Sequence, residues 1–274
     1  MLRFGVSGVP RSSARPGTEA GIRRARELGL DCLEMAWVNG VRMGPATAGR
    51  IAEAARACDV ELTAHAPYAI NLCGSAEISR RSVARLVRAG RLAGRCGARS
   101  FCFHAGYYPR AGHASPQRRV AAQLARVASR LQGQAGAVDV RPELTGRASQ
   151  LGTLQEILAW SAEIPGVRPC LDFAHQFARH GGAFNSYDEF GAVLQEVSDR
   201  LGPASLRRLH VHVSGIEYGP RGERRHLPLR ASRFRYRELL RALKDFRAAG
   251  WVVSESPARE DDAVLLQRCY RRLR

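Results

Sequence analysis

Short apolar runs alternate along the whole chain with longer stretches in which apolar residues recur every three or four positions. The first pattern predicts buried strands and the second amphipathic helices. Strands are expected at 3–7, 31–37, 59–65, 99–104, 138–143, 167–172, 207–213 and 251–255. Helices are expected near 17–28, 45–57, 76–95, 116–132, 152–162, 187–200, 235–248 and 259–272. Segments such as Cys32-Leu33-Glu34-Met35-Ala36 are nearly continuous in apolar character, as parallel strands covered by helices should be. Gly29, Gly97 and Gly250 stand just before strands, where helix C-caps are expected. Eight strand–helix units in one chain predict an α/β fold: a (β/α)8 TIM barrel forming a single domain over residues 1–274. An open doubly wound sheet is the alternative, but no Gly-x-Gly-x-x-Gly follows the first strand. Two longer connections, Tyr107–His113 and Ser214–Ser232, fall on the C-terminal face, where barrels carry their chemistry.

Composition narrows the setting. The 274 residues are 45% hydrophobic, enough for one large core. Seven cysteines without a Cys-x-x-Cys pair argue against a disulfide framework. Cys32, Cys73, Cys102 and Cys170 lie in or beside apolar runs and read as small buried hydrophobes. A reduced, cytoplasmic protein is expected. No apolar run approaches membrane-spanning length, and the first residues form a short strand rather than a signal peptide. The formal charge of +18 favours a polyanionic partner such as nucleic acid. Lys244 is the only lysine, so part of the charge reflects a bias toward arginine. Arg80, Arg81, Arg85 and Arg88 share a helical stretch where solvation alone accounts for them.

The candidate chemistry lies at the strand ends. His65, His104, Glu143, Asp172 with His175, His210 and Glu255 close six consecutive predicted strands. Singly, each has an ordinary explanation: His65 or His104 as a bonded core histidine, Glu143 or Glu255 paired with Arg141 or Arg259. Jointly, at one end of one barrel, they form a metal-ligand set. Imidazole and carboxylate without cysteine suit zinc, manganese or iron(II) better than calcium or magnesium. Seven candidates exceed the three protein ligands typical of one catalytic zinc, so several ions are expected. Clustered ions on a basic protein point to phosphodiester hydrolysis.

The segments Thr63-Ala64-His65-Ala66-Pro67-Tyr68-Ala69-Ile70-Asn71-Leu72, Phe103-His104-Ala105-Gly106, Leu171-Asp172-Phe173-Ala174-His175, Leu209-His210-Val211-His212 and Ser254-Glu255-Ser256-Pro257 carry a resemblance. They are similar to the endonuclease IV family of apurinic/apyrimidinic endonucleases, among the xylose-isomerase-like barrels. The similarity runs over essentially the whole chain. It implies a cytoplasmic, monomeric DNA-repair hydrolase that cleaves duplex DNA 5′ to abasic sites, with two or three zinc ions (manganese as substitute). By this resemblance His65, His104 and Glu143 hold one ion, and Glu143 bridges to a second completed by Asp172, His210 and Glu255. His175 contributes to the third, and Glu143 and Glu255 are the expected catalytic carboxylates. Tyr68 matches a position on the DNA-facing groove, and Asn71 matches as a structural residue.

The chain departs from the family after strand seven. Where the family supplies Asp-x-His to the third ion, this chain has Glu223-Arg224-Arg225-His226. Glu223 and His226 are the candidates there. Arg110, Arg221 and Arg224 are the candidates for phosphate contacts, and Tyr107 and Tyr108 join Tyr68 as candidates for stacking on bases. Two other functions compete. A single-metal sugar isomerase or epimerase would need only Glu143, Asp172, His210 and Glu255, leaving His65, His104 and His175 without a role. A non-catalytic nucleic-acid-binding barrel would fit the charge but leave the strand-end ligands unexplained.

Overall fold

The computed structural model describes residues 1–37, 40–109, 115–133 and 136–273. Its strands are β1 (Leu2–Ser7), β2 (Cys32–Ala36), β3 (Glu61–His65), β4 (Ser100–Phe103), β5 (Asp139–Pro142), β6 (Cys170–Asp172), β7 (Leu209–Val213), β8 (Gly215–Gly219), β9 (Gly222–Leu227) and β10 (Gly250–Ser254). The helices are α1 (Thr18–Glu27), α2 (Pro45–Cys58), α3 (Ala76–Arg95), α4 (Pro116–Leu131), α5 (Leu154–Glu163), α6 (Phe173–Arg179), α7 (Tyr187–Leu201), α8 (Tyr236–Asp245) and α9 (Glu260–Arg272). Eight strands form one sheet in the order β5-β4-β3-β2-β1-β10-β7-β6. The pairings are parallel. Isolated parallel bridges, Val140↔Val167 and Glu143↔Cys170, join β5 to the β6 side and close the ring. The result is the expected TIM barrel.

Local sequence sets the helix ends. Thr153 and Glu156 form a reciprocal capping box on α5, and Ser186 with Glu189 does the same on α7. On α3, Val83, Leu86 and Val87 bury a stripe against the sheet while the arginines turn outward. Gly250 does not cap a helix. It opens β10, where an added Cβ would lie 2.1 Å from the Leu209 carbonyl oxygen. The left-handed residue after α8 is Arg247, at φ 50°.

Two elements were hidden in the predicted loops. The first is α6, which begins directly at Asp172. The second is the β8–β9 hairpin, which occupies most of the stretch after β7 and packs on α6 and on Gly146. An added Cβ on Gly222 (φ +89°) would sit 2.2 Å from the Gly146 carbonyl oxygen, so glycine is required there.

The inside of the barrel is unusually polar. In most TIM barrels bulky aliphatic side chains fill it in layers. Here Cys32, Trp251 and Val253 form a small separate apolar cluster. Around them Glu34, Ser100, Cys102, Cys170, His210 and His212 are all buried. Contacts between strands that are not neighbours, such as His212 on β7 with Glu34 on β2, run across the lumen.

Candidate metal centre

Glu143 stands at the centre of the C-terminal mouth, fully buried at the end of β5. Its two oxygens face different partners. Oε2 lies 3.0 Å from His65 Nε2 and 3.4 Å from His104 Nε2. Oε1 lies 3.1 Å from His212 Nδ1 and 3.4 Å from His175 Nδ1. One carboxylate thus serves two donor groups. Donor atoms of Glu143, Asp172, His212 and Glu255 lie within 4.8 Å of one another, as do those of His104, Glu143 and His175.

A third group forms where the hairpin leans over α6. His175 Nε2 is 3.3 Å from His226 Nε2 and 3.5 Å from Glu223 Oε2. Glu223 and His226 are three residues apart, a spacing that would normally put them on opposite faces of a strand. The ladder resolves this. Arg225 pairs with Glu217 and Glu223 with Tyr218, with the register shifting between them. Arg224 is the additional residue of a bulge, and it brings Glu223 onto the face of His226.

The hydrogen bonds fix the imidazole tautomers, and these test whether cations fit. A backbone carbonyl only accepts, so His65 Nδ1 donates to Ala66 O (2.7 Å) and His175 Nδ1 to Leu144 O (2.9 Å). His226 Nδ1 donates likewise to Glu255 O (3.1 Å). His212 lies between two carboxylates, with Nε2 3.2 Å from Glu34 Oε2 and Nδ1 3.1 Å from Glu143 Oε1 at the mouth. The free nitrogens of neutral His65, His175 and His226 are therefore lone pairs aimed at carboxylates or at each other. Asp172 Oδ2 is buried without a hydrogen bond in the same place. Lone pair against lone pair is repulsive unless a proton or a cation lies between. Imidazole nitrogens, carboxylate oxygens and no lysine or arginine among them make a donor set that zinc-class divalent ions fit.

Without cations, protons must take their place. Burial disfavours the His65 cation, yet Glu143 outweighs it and raises the imidazole to about 9. Burial, opposed by His175 and aided by Glu143 and Glu255, raises Asp172 to about 6. Burial would also raise Glu143, but the surrounding imidazoles hold it well below the usual carboxylate range.

The structure brings together His65, His104, Glu143, Asp172, His175, Glu223, His226 and Glu255. His210 is the exception. It sits one layer deeper, with Nδ1 2.8 Å from Ser100 Oγ, and His212 takes the expected place at the mouth. Register explains the displacement: Asp172 pairs with His212, and Cys170 with His210. Side chains two apart on a strand share a face, so both histidines point inward and the later one reaches the ligand level. Sequence reading also missed Glu34, although a lone carboxylate inside an apolar strand is a signal in itself. Glu143 and Glu255 do not pair with the neighbouring arginines. Arg141 bonds Asp139 (3.0 Å), and Arg259 donates to Val9 O (2.8 Å).

A cavity of about 290 Å³ opens above the cluster, lined among others by Tyr68, His104, Tyr107, Arg147, Glu223 and Glu255. Tyr68 is 63% exposed and stands edge-on to His65, with ring centroids 6.0 Å apart. Asn71 is structural, accepting the Cys73 N–H at 3.1 Å. Tyr108 is not free to stack, since its hydroxyl donates to Glu156 (2.7 Å). Arg221 and Arg224 lie at the exposed hairpin, Arg224 within 3.5 Å of Glu217. Arg110 lies outside the described residues.

Comparison with known proteins agrees with this architecture. An uncharacterized protein of Methanocaldococcus jannaschii is 39% identical over 274 residues, covering 100% of this chain and 98% of its own. A probable endonuclease 4 of Nitratidesulfovibrio vulgaris is 27% identical over 229 residues, 77% of this chain and 78% of its own. Among solved structures, endonuclease IV from Thermus thermophilus superposes with a TM-score of 0.74 at 19% identity, over 98% of this chain and 97% of its own. A D-tagatose 3-epimerase-like protein gives 0.72, also at 19% identity, over 98% and 96%. At these identities the solved structures bear on the fold alone. No helix among the described residues is long and apolar enough to cross a membrane. With residues 22–273 matching the family described as the xylose isomerase-like TIM barrel, the chain belongs to that family.

Proposed function

We propose that the chain is a metal-dependent endonuclease that hydrolyses DNA phosphodiester bonds, 5′ to abasic sites, acting as a cytoplasmic monomer. The observation that carries this reading is the division of Glu143, with Oε2 toward His65 and His104 and Oε1 toward His212. A carboxylate so placed suits two cations side by side, and His175, His226 and Glu223 would hold a third. Zinc-class ions bound there supply Lewis acidity toward a phosphate and a water that ionises near neutral pH. The residues around them position and protect. Glu255, 3.5 Å from His212 and lining the cavity, is placed to accept a proton. Glu34 orients His212 from below at 3.2 Å, and Leu144 O fixes the tautomer of His175.

Support for a nucleic-acid substrate comes from the surface beside the mouth. Tyr68 also borders a groove of about 600 Å³ lined by Arg42, Arg85 and Arg88. These arginines continue from the cavity and offer a track for flanking phosphates, more directly than those of the hairpin. Tyr68 at the junction is placed to wedge beside an abasic gap. The deciding experiment is nicking of duplex DNA carrying one abasic site, with undamaged duplex as control. Strand scission confined to the 5′ side of the lesion is expected, and intact DNA with a fully metallated protein would refute the reading.

A second reading has its own observation. Glu143, Asp172, His212 and Glu255 form a complete four-ligand set, which a single-metal sugar isomerase or epimerase needs and no more. That reading gives no work to His65, His104, His226 or Glu223. Conversion of a ketohexose by the metallated protein, without nicking, would establish it.

A further inference from the structure

Beneath the mouth lies a second group of ligand-type side chains, of which the proposed chemistry uses only His212. Donor atoms of Cys102, Cys170, His210 and His212 lie within 4.8 Å of one another, and all four residues are buried. The two thiols come from β4 and β6, and the histidines from β7. Buried cysteine normally serves as a small hydrophobe among apolar neighbours. Here the surroundings are polar: Cys102 Sγ lies 3.5 Å from Glu34 Oε2 and 3.7 Å from His212 Nε2.

The second observation is His210. It is fully buried, its Nδ1 is engaged by Ser100, and its Nε2 has no hydrogen-bond partner. Glu34 Oε2 lies only 3.0 Å from that nitrogen, yet off the direction in which the ring N–H would point. Such an oxygen fails as a hydrogen-bond acceptor but is well placed as a neighbouring ligand of an ion lying on the ring axis. Zinc bonds of ~2.0 Å to nitrogen and ~2.3 Å to sulfur give tetrahedral ligand-to-ligand edges of about 3.3–3.8 Å. The contacts of Glu34 Oε2 with His210 Nε2 and Cys102 Sγ, at 3.0 and 3.5 Å, approach those edges.

We infer that the barrel holds an inner, closed metal site, separate from the mouth, in which Cys102, Cys170 and His210 Nε2 bind a zinc-class ion, with Glu34 Oε2 as the oxygen donor beside His210 and Cys102. His212 belongs to the mouth, where its Nδ1 lies 3.1 Å from Glu143 Oε1, and its Nε2 lies 3.2 Å from Glu34 Oε2. Glu34 then links the two levels, as oxygen donor below and as orienting partner for His212 above. With its cysteines and histidine fully buried, the inner site is structural: it cross-links β4, β6 and β7, with Glu34 on β2 beside it. Two thiolates select a soft ion and exclude magnesium or calcium.

The test uses the full chain, stripped of metal and reloaded with cobalt(II), read by near-ultraviolet absorption. Thiolate-to-cobalt charge transfer is expected in the wild type and in His104→Ala, whose altered ligand lies at the mouth. It is expected to disappear in Cys102→Ser/Cys170→Ser, with zinc content falling by one ion per chain. Absence of the band in cobalt-loaded wild type overturns the inference without recourse to any variant, as does a band that survives the double substitution. A Cys102–Cys170 disulfide in freshly purified protein, found by peptide mass, overturns it too. None of these outcomes depends on nicking activity.

Discussion

Metal removal should make the stability of this protein depend on pH, with an identifiable share carried by His65. In the chelated protein His65 is protonated against Glu143 Oε2 at 3.0 Å, which raises its pKa from 6.5 to about 9. The folded state thus binds the proton more tightly than the unfolded chain. The stabilisation is complete below pH 6.5 and is lost as the pH rises through about 9. At ~1.4 kcal/mol per tenfold change in affinity, the shift corresponds to about 3 kcal/mol. For a chain of 274 residues, with an unfolding entropy of ~2 cal/mol/K per residue, that is a fall in Tm of about 5 °C. The assay compares thermal or urea melts of chelated and zinc-loaded protein at pH 6.5 and 9.5, with His65→Gln as reference. The wild type should lose about 3 kcal/mol more than His65→Gln when chelated. Zinc-loaded protein should lose little, because a cation then occupies the position of the proton. Equal pH dependence in wild type and His65→Gln, or an undiminished loss in the zinc-loaded protein, would refute the reasoning.

Further consequences follow from the same geometry. Glu143→Gln keeps the side-chain shape but removes the shared charge; nicking should fall by about 100-fold or more, the scale of a lost catalytic group, with a near-native circular dichroism spectrum. Tyr68→Ala should weaken abasic-duplex binding by about 10- to 100-fold, the scale of one lost stacking contact, in an equilibrium titration. Tyr108→Phe should leave that titration unchanged and cost about 1 kcal/mol of stability, through its lost bond to Glu156. Substituting Arg42, Arg85 or Arg88 by alanine should each lower the slope of log K against log salt by about 1, if each meets one phosphate. Gly222→Ala forces the hairpin away from Gly146 and should reduce metal content by the ion at His175, Glu223 and His226, leaving the Glu143 ions in place.

Much of this architecture was legible in the sequence. The eight barrel strands fall within a few residues of their predicted positions, because each is a short apolar run between amphipathic helices. Strand-end residues such as His65, His104 and Asp172 were legible because period-2 geometry brings every strand end to one mouth. His212 was not. Leu209-His210-Val211-His212 offers two inward positions, and only the pairing of β7 with β6 decides which reaches the level of Asp172. The hairpin eluded reading for a similar reason. Its strands carry Glu, Arg and Tyr on an exposed face, and the bulge at Arg224 breaks the alternation that would reveal them. Glu34, Cys102 and Cys170 were legible as buried positions but not as a polar cluster. They come from three strands and meet only across the lumen.

The central claim is that Glu143 is shared between cations that cleave a DNA backbone. Elemental analysis of protein purified without added metal, with the same preparation assayed on a duplex containing one abasic site, tests it most directly. The account predicts at least two zinc or manganese ions at the mouth, counted in Cys102→Ser/Cys170→Ser so that the inner site does not contribute, with 5′ nicking that is lost in His104→Ala. A single mouth ion, with the abasic strand left intact, would contradict it.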